Sequence, residues 1–356
     1  MPESSPARHF TTLGRCFRTA RRLSLAGALL LLLSLFALSA GALIATAGDL
    51  TAKTPASPVT PPQAISPAGE CAPAWTDSGS VSLVADQQWF TGVSAVSPDD
   101  VWAVGLFNRG TWSDSLVEHW NGERWRVVPS PQGSKIPYAV EAIHADDVWV
   151  VGVQGLTEHW NGSQWTVLPA PDFGSGYTNL NDISAASSSD IWAVGERYTD
   201  SDSTTRVRIQ RWNGSEWNIV PLPVTGTVGT LLGVEAISSD DAWAVGHTGD
   251  GDTLTLHWNG IQWTVVPSPN PGTVHSLNAV SAVSSNDVWA VGAYDDPNDP
   301  RLGAPLAMHW DGVQWTVVPG PDAGDEGGRL ESVVSLGSND VWAVGAPNLT
   351  AHWDGS

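Results

Sequence analysis

Beyond residue 74 the chain breaks into short apolar runs of four to seven residues, each bounded by Gly, Asn, Asp or Pro. Within a run, β-branched and aromatic residues alternate with small or polar ones, a period of two that predicts strands. One run is nearly invariant. Asp287-Val288-Trp289-Ala290-Val291-Gly292 returns at residues 100–105, 147–152, 190–195, 241–246 and 340–345, six copies spaced 43 to 53 residues apart. A period of that length marks a repeat architecture. In the unit that opens at Asn278, residues 278–284 predict a first strand and the invariant run a second. Residues 306–310 give a third strand and residues 315–319 a fourth, with Ser285-Asn286 and Asp311-Gly312 as tight turns. Four antiparallel strands repeated six times predict an all-β chain, a six-bladed β-propeller over residues 74–356.

The ends of the repeat array fit a ring. The sixth unit stops at His352-Trp353-Asp354-Gly355, where its fourth strand should begin. Trp75-Thr76 stands 19 residues before Ser94 of the first unit, against 18 from Trp263 to Ser281 in the fifth. An N-terminal strand at Trp75 is therefore expected to close the last blade and remove an open sheet edge. With the fourth strand outermost, the first strand of each blade lines the central channel, in keeping with its Ala and Ser residues.

The recurring Trp-Ala-Val-Gly strand, followed by a Gly-containing hairpin and a further Trp, resembles the Asp-box (BNR) propellers. It is similar in particular to the bacterial relatives of the photosystem II assembly factor type, with a weaker likeness to kelch propellers. The likeness covers residues 75–356. The hairpin here reads Trp-Asn-Gly-x-x-Trp, as from Trp258 to Trp263, rather than the Ser-x-Asp-x-Gly-x-x-Trp of that family. The resemblance implies a propeller scaffold, and six-bladed members include sialidases.

Three segments precede the repeats. Residues 1–22 hold Arg8, Arg15, Arg18, Arg21 and Arg22; residues 23–47 carry no charge; residues 48–73 are rich in proline and small polar residues. An uncharged stretch of 25 residues is long enough for a ~30 Å hydrocarbon core. The basic leader predicts a cytoplasmic N-terminus and a propeller outside the membrane. The chain is thus expected to be a single-pass membrane protein, the anchor being one transmembrane helix. A cleaved signal peptide ending at Ala45-Thr46-Ala47, which would leave the protein secreted, is the alternative. The Pro-rich stretch reads as a spacer. Cys16 and Cys71, the only cysteines, would lie on opposite sides of the membrane and cannot pair.

Of the 16 Lys and Arg residues five precede residue 48, as does one of the 37 Asp and Glu, so the remainder carries a net charge of −25. Such a surface repels phosphate backbones, which excludes nucleic acid as a partner.

Eighteen of the 20 tryptophans fall at three repeat positions: in the second strand, at the end of the third and at the start of the fourth. A residue needed in every blade points to packing between blades rather than to an aromatic binding face. His119, His159, His257, His309 and His352 precede the third-strand Trp, with Arg211 in the remaining blade. Equivalent positions lie roughly 10 Å or more apart, too far to share a metal ion. One hydrogen bond per blade is expected of them, and no metal or cofactor. The Asp that opens the second strand reads as a turn cap.

Function on a repeat scaffold gathers where the repeats differ. The turns from first to second and from third to fourth strand are uniform. On the opposite rim the connections vary from a few residues (153–156) to more than ten (293–305). That rim holds the off-repeat aromatics and the scarce cations: Trp89, Phe107, Arg109, Trp112, Tyr138, Tyr177, Arg197, Tyr198, Tyr294 and Arg301. Tyr, Trp and Arg are the residues interfaces favour. Acidic residues share it, among them Asp250, Asp252, Asp295 and Asp325, and read as solvated charge.

In the channel, Glu141 and Glu235 occupy one first-strand position in blades two and four, where they would face each other and could do acid–base work on a glycoside. Against a sialidase, Arg206, Arg208 and Arg211 crowd one strand of one blade. The sequence therefore favours a non-enzymatic extracytoplasmic scaffold that binds a protein or glycan at its variable rim, with a secreted glycoside hydrolase as the alternative.

Overall fold

The computed structural model describes residues 79–355 apart from positions 82, 84–86, 111, 132–134, 172–175, 223–227, 296–302, 322 and 325–326. The anchor, the Pro-rich spacer and the strand expected at Trp75 lie outside the described residues. Among those described, no helix is long and apolar enough to cross a membrane.

Six antiparallel sheets follow one another along the chain. The first holds β1 (Gln87–Ser97), β2 (Asp100–Arg109), β3 (Trp112–Trp120) and β4 (Trp125–Val127), and the second β5 (Pro137–His144), β6 (Asp147–Gly152), β7 (Leu156–Trp160) and β8 (Trp165–Val167). The third holds β9 (Tyr177–Ser187), β10 (Asp190–Thr199), β11 (Thr204–Trp212) and β12 (Trp217–Ile219). In the fourth are β13 (Gly229–Ser238), β14 (Asp241–Thr248), β15 (Thr253–Trp258) and β16 (Trp263–Val265). The fifth has β17 (His275–Ser284), β18 (Asp287–Tyr294), β19 (Ala304–Trp310) and β20 (Trp315–Val318). The sixth has three strands, β21 (Arg329–Gly337), β22 (Asp340–Ala346) and β23 (Leu349–Trp353). First strands pack on first strands from each sheet to the next. The molecule is a six-bladed β-propeller whose first strands line the channel.

The second strands of the first five blades are buried on both faces, as a sheet sandwiched between two neighbours requires. Its closing Gly answers to the first strand alongside. There the register slips by one residue, at Thr91, Tyr138, Asn181, Leu232, Asn278 and Glu331 in the six blades. Such a bulge pushes the backbone against its partner. A Cβ on Gly292 would come within 1.8 Å of the Ser276 carbonyl oxygen, and one on Gly105 within 1.9 Å of that of Trp89. Only glycine fits.

Third and fourth strands are joined by a four-residue loop, since Trp258 pairs with Trp263 and Trp310 with Trp315. The Asn259 side chain accepts from the N–H groups of Ile261 and Gln262, both at 3.0 Å. Gly260 follows with φ +87, a conformation that glycine adopts without steric cost.

The tryptophans are the mortar between sheets. Trp102 meets Trp165 of the next blade edge to face, with centroids 5.6 Å apart. Trp149 meets Trp217 at 5.7 Å, Trp192 meets Trp263 at 5.0 Å and Trp243 meets Trp315 at 5.2 Å in the same way. The expected packing role is borne out at these four junctions. At the sixth sheet, Trp342 is half-buried, and its ring contact among the described residues is with His352.

The histidines make the expected hydrogen bond once per blade, and its partner corrects the reading of the repeat. His119, His159, His257, His309 and His352 donate from Nε2 to Asp100, Asp147, Asp241, Asp287 and Asp340 at 2.8 to 2.9 Å. The Asp that opens each second strand is therefore no turn cap. It faces the third strand, because it sits beside the register position that pairs the second-strand Trp with the His. In blade three Arg211 replaces the imidazole and holds Asp190 with two nitrogens at 2.6 and 2.7 Å. Each His also lies against its second-strand Trp, as His119 does on Trp102 at 4.2 Å.

Candidate functional site

The described rim residues singled out from sequence belong to strands rather than to free loops. In blade three β10 and β11 continue to Thr199 and Thr204, and β9 begins at Tyr177. The three strands project as a ribbon. Tyr177 and Tyr198 are cross-strand partners there, their rings stacked 5.2 Å apart at 20°. Tyr177 is 52% exposed, far more than a ring fixed in a core would be. An isolated bridge from Arg206 to Val228 ties the ribbon to the blade-four approach.

Below the tyrosines lies a polar cluster that the sequence reading missed. Glu196 accepts from Asn179 Nδ2 at 2.8 Å on one oxygen and from Asn181 Nδ2 at 2.6 Å on the other. Asn181 also donates to the Leu231 carbonyl of the next blade at 2.8 Å. Asn181 is a bulge residue, and a bulge re-aims the side chain it carries. Tyr138 is the bulge residue of blade two. Burial, and next the Glu196 charge, push the Tyr138 hydroxyl above its usual range. The signal that could have found this cluster is the Gly of the repeat, which marks the bulge opposite.

In blade one the register sets Trp89 and Phe107 on opposite faces of the sheet. Trp89, Phe107 and Arg109 lie on β1 and β2, with the Arg109 guanidinium 5.0 Å from the Phe107 ring centroid. Trp89 is 36% exposed, but Phe107 is buried and serves the core. Tyr294 likewise packs on the blade-five core rather than standing free on the rim. Trp112 opens β3, and its side chain, like Arg301, lies outside what the structure describes. Of the predicted set, Tyr177 and Tyr198 stand together on one face of blade three with Tyr138 within reach of Glu196, whereas Arg197 lies on the opposite face of the strand.

The channel carboxylates do share one register position, Glu141 opposite Trp149 and Glu235 opposite Trp243. The Glu235 charge acts on Glu141, so the two are within electrostatic reach of each other. Blade three stands between them and contributes Asp182, so three carboxylates crowd one arc of the wall. Burial, then Glu235 and Asp182, raise Glu141 to about 8, and burial, then Asp182, raise Glu235 to about 8. Asp182 rises to about 7 through burial, although hydrogen bonds from Val234 and Ile183 N–H groups oppose the rise. Asp182 Oδ2 accepts from the Val234 N–H of the next blade at 2.8 Å. Ser94, Ser184 and Ser281 make the same inter-blade bond elsewhere, to Ala142, Ala236 and Ser335 N–H groups at 3.0 Å. Glu141, at the Ser184 position one blade earlier, accepts from the Ala185 N–H.

Arg208 is a third departure from the repeat. It occupies the place of Leu116, Leu156, Leu254, Leu306 and Leu349, opposite the second-strand Gly. Burial, and then the Arg197 charge, lower its pKa to about 9. The three arginines of this strand thus serve different places: Arg206 pairs with Asp202, Arg208 is buried, and Arg211 holds Asp190. Among the described residues no group of three or more His, Cys, Asp or Glu side chains is placed to hold a metal ion.

Solved structures with this architecture exist. YCF48 from Cyanidioschyzon merolae is 16% identical with a TM-score of 0.49, over 78% of this chain and 85% of that one. A YCF48 bound to a D1 peptide is 13% identical with a TM-score of 0.43, over 78% and 94%. The GH74 xyloglucanase from Xanthomonas campestris is 13% identical with a TM-score of 0.52, over 72% of this chain and 43% of that one. The likeness is one of fold. No family model matches the sequence, and no curated protein is detectably similar to it. The Asp-box resemblance is thus met at the level of the propeller and not of a sequence family.

Proposed function

We propose that this chain is a non-enzymatic scaffold, held at the cell surface by its N-terminal segment, that binds a protein or glycan partner at the variable rim around blade three. One observation carries the reading. A stacked tyrosine pair, one ring of it half in solvent, stands beside a carboxylate clamped by two amides on the rim where the blades differ. Flat aromatic surface next to fixed hydrogen-bonding groups is what a sugar ring or an extended peptide engages. The test is binding of purified propeller to a glycan array and to an extracellular protein panel, with Tyr177→Ala/Tyr198→Ala alongside. Ligands lost by the variant at unchanged melting temperature support the site; a ligand set identical in both removes it.

A glycoside hydrolase acting at the channel mouth is the second reading, favoured by Glu141, Asp182 and Glu235, whose raised pKa values suit proton transfer near neutrality. Against it, Asp182 and Glu141 each accept a backbone N–H from the next blade, the bond that serine makes elsewhere in the ring. Turnover of a glycoside substrate abolished by Glu141→Gln would reverse the preference. The extracytoplasmic placement rests on the basic leader before the uncharged stretch, and protease digestion of intact cells tests it.

A further inference from the structure

Among the described residues Glu196 has no counter-ion. It is half-buried on β10, and its two oxygens are held by neutral amides, Asn179 at 2.8 Å and Asn181 at 2.6 Å. The carboxylates that open the second strands each meet a basic side chain instead, Arg211 for Asp190 and a histidine in the other blades. The amides fix the Glu196 carboxylate without saturating it, since an ionised carboxylate has about four acceptor sites. Two residues further along the same face of β10 stands Tyr198, stacked on Tyr177, whose ring is 52% exposed. That face turns to blade four, because Val194 on it packs with Leu231 and Leu254. The nearby turn of blade four exposes Asp250 and Asp252. Its Gly249 donates to the Val228 carbonyl at 2.9 Å, and Val228 bridges to Arg206 of the ribbon. By register, the side chains of Arg197, Arg206 and Arg208 belong to the opposite face of the ribbon.

Given the reading of this rim as the partner site, on which the assignment rests, we propose that the partner is a protein with a basic segment. One of its lysine or arginine side chains lies over the Tyr177 ring with its charge against Glu196. A cation within ~6 Å of a tyrosine ring centroid is attracted by the ring quadrupole. A carboxylate already fixed in place then accepts a charge-assisted hydrogen bond without further ordering. An anionic ligand would instead meet Glu196, Asp250, Asp252 and the net charge of −25 beyond residue 47. An amino sugar brings one ammonium to Glu196, whereas a basic segment reaches Glu196 and the acidic turn of blade four together. Charge complementarity therefore selects the peptide.

The test is binding of fluorescent hexalysine, its fully acetylated form and a chitosan oligosaccharide to the full chain. Glu196→Gln removes the charge and keeps an oxygen for the amides, Tyr177→Ala removes a half-exposed ring without touching the clamp, and Glu123→Gln removes an exposed charge on the uniform rim. Hexalysine is expected to bind, and to bind roughly tenfold more weakly to Glu196→Gln and to Tyr177→Ala. Glu123→Gln is expected to bind as wild type does, and the acetylated peptide to bind to none of them. No binding of hexalysine overturns the proposal. So does the same affinity in Glu196→Gln and Glu123→Gln, which shows attraction by diffuse charge only, or a chitosan oligosaccharide held more tightly than the peptide. Should Tyr177→Ala/Tyr198→Ala lose ligands that Glu196→Gln keeps, the basic partner falls while the rim remains the site. Should the tyrosine variant keep every ligand, both fall.

Discussion

Trp315 presents its ring to Trp243 at 89°, with centroids 5.2 Å apart, across the junction between two successive sheets. The two residues are 72 positions apart in the chain, yet the contact is remade at each of four junctions. That edge-to-face geometry is favoured by the ring quadrupole and adds to the apolar area removed from water. Packing between repeats, more than bonding within one, therefore holds the ring together.

Trp243 is fully buried and Trp342, its counterpart in the last sheet, is half-buried. Trp243→Ala is expected to cost about 3–5 kcal/mol, and Trp342→Ala clearly less, because fewer neighbours are lost. Urea unfolding of both variants measures the difference. Equal costs would contradict a stability set by inter-blade burial.

Gly292→Ala is expected to be among the most damaging single changes in the chain. The added methyl would meet the Ser276 carbonyl oxygen at 1.8 Å, and a backbone atom in a sheet cannot step aside. A loss of more than about 4 kcal/mol, the exceptional class for point mutations, is the expected outcome. A soluble variant with the wild-type melting temperature would show that the bulge relaxes at little cost.

Arg211 does in blade three what histidine does elsewhere, and does more of it. It grips both oxygens of Asp190, donates to the Ser239 carbonyl at 3.0 Å and lies 4.7 Å from the Trp192 ring centroid. Arg211→Ala should cost about 2 kcal/mol, and Arg211→His should recover half of that or more by restoring the bond of the other blades. Thermal unfolding of the two variants decides the matter; a histidine no better than alanine would sever the equivalence.

Glu141, Asp182 and Glu235 give stability a pH dependence of definite sign. In the unfolded chain these carboxyls lose their protons near pH ~4, whereas in the folded protein they keep them to about 8, 7 and 8. The folded state binds more protons, so their contribution is complete below pH ~4 and is lost progressively as pH rises through 7 to 8. The melting temperature should fall from pH 5 to pH 9, and the Glu141→Gln/Glu235→Gln variant should show a flatter profile. A double variant with the wild-type slope would place the pH dependence elsewhere.

Much of this was legible before any coordinates, for an identifiable reason. A repeat prints each structural requirement six times, so Trp102, Trp149, Trp192, Trp243 and Trp289 declared themselves as packing residues, and the His column as one bond per blade. The off-repeat residues were harder to place. The sequence showed that Tyr177 and Tyr198 depart from the pattern, but not that a cross-strand register brings their rings together 21 positions apart. It showed Phe107 and Tyr294 as rim aromatics, although both turn inward.

The sequence alone determined the fold class, the number of blades and the division of positions between packing and variable rim, because those depend on local periodicity and its repetition. The tertiary structure alone decided which departures from the repeat meet. Asp182 joins Glu141 and Glu235, and Glu196 is caught between Asn179 and Asn181, through bulges and the curvature of successive sheets. Those are properties of how strands twist and pack against their neighbours, and no single stretch of chain carries them.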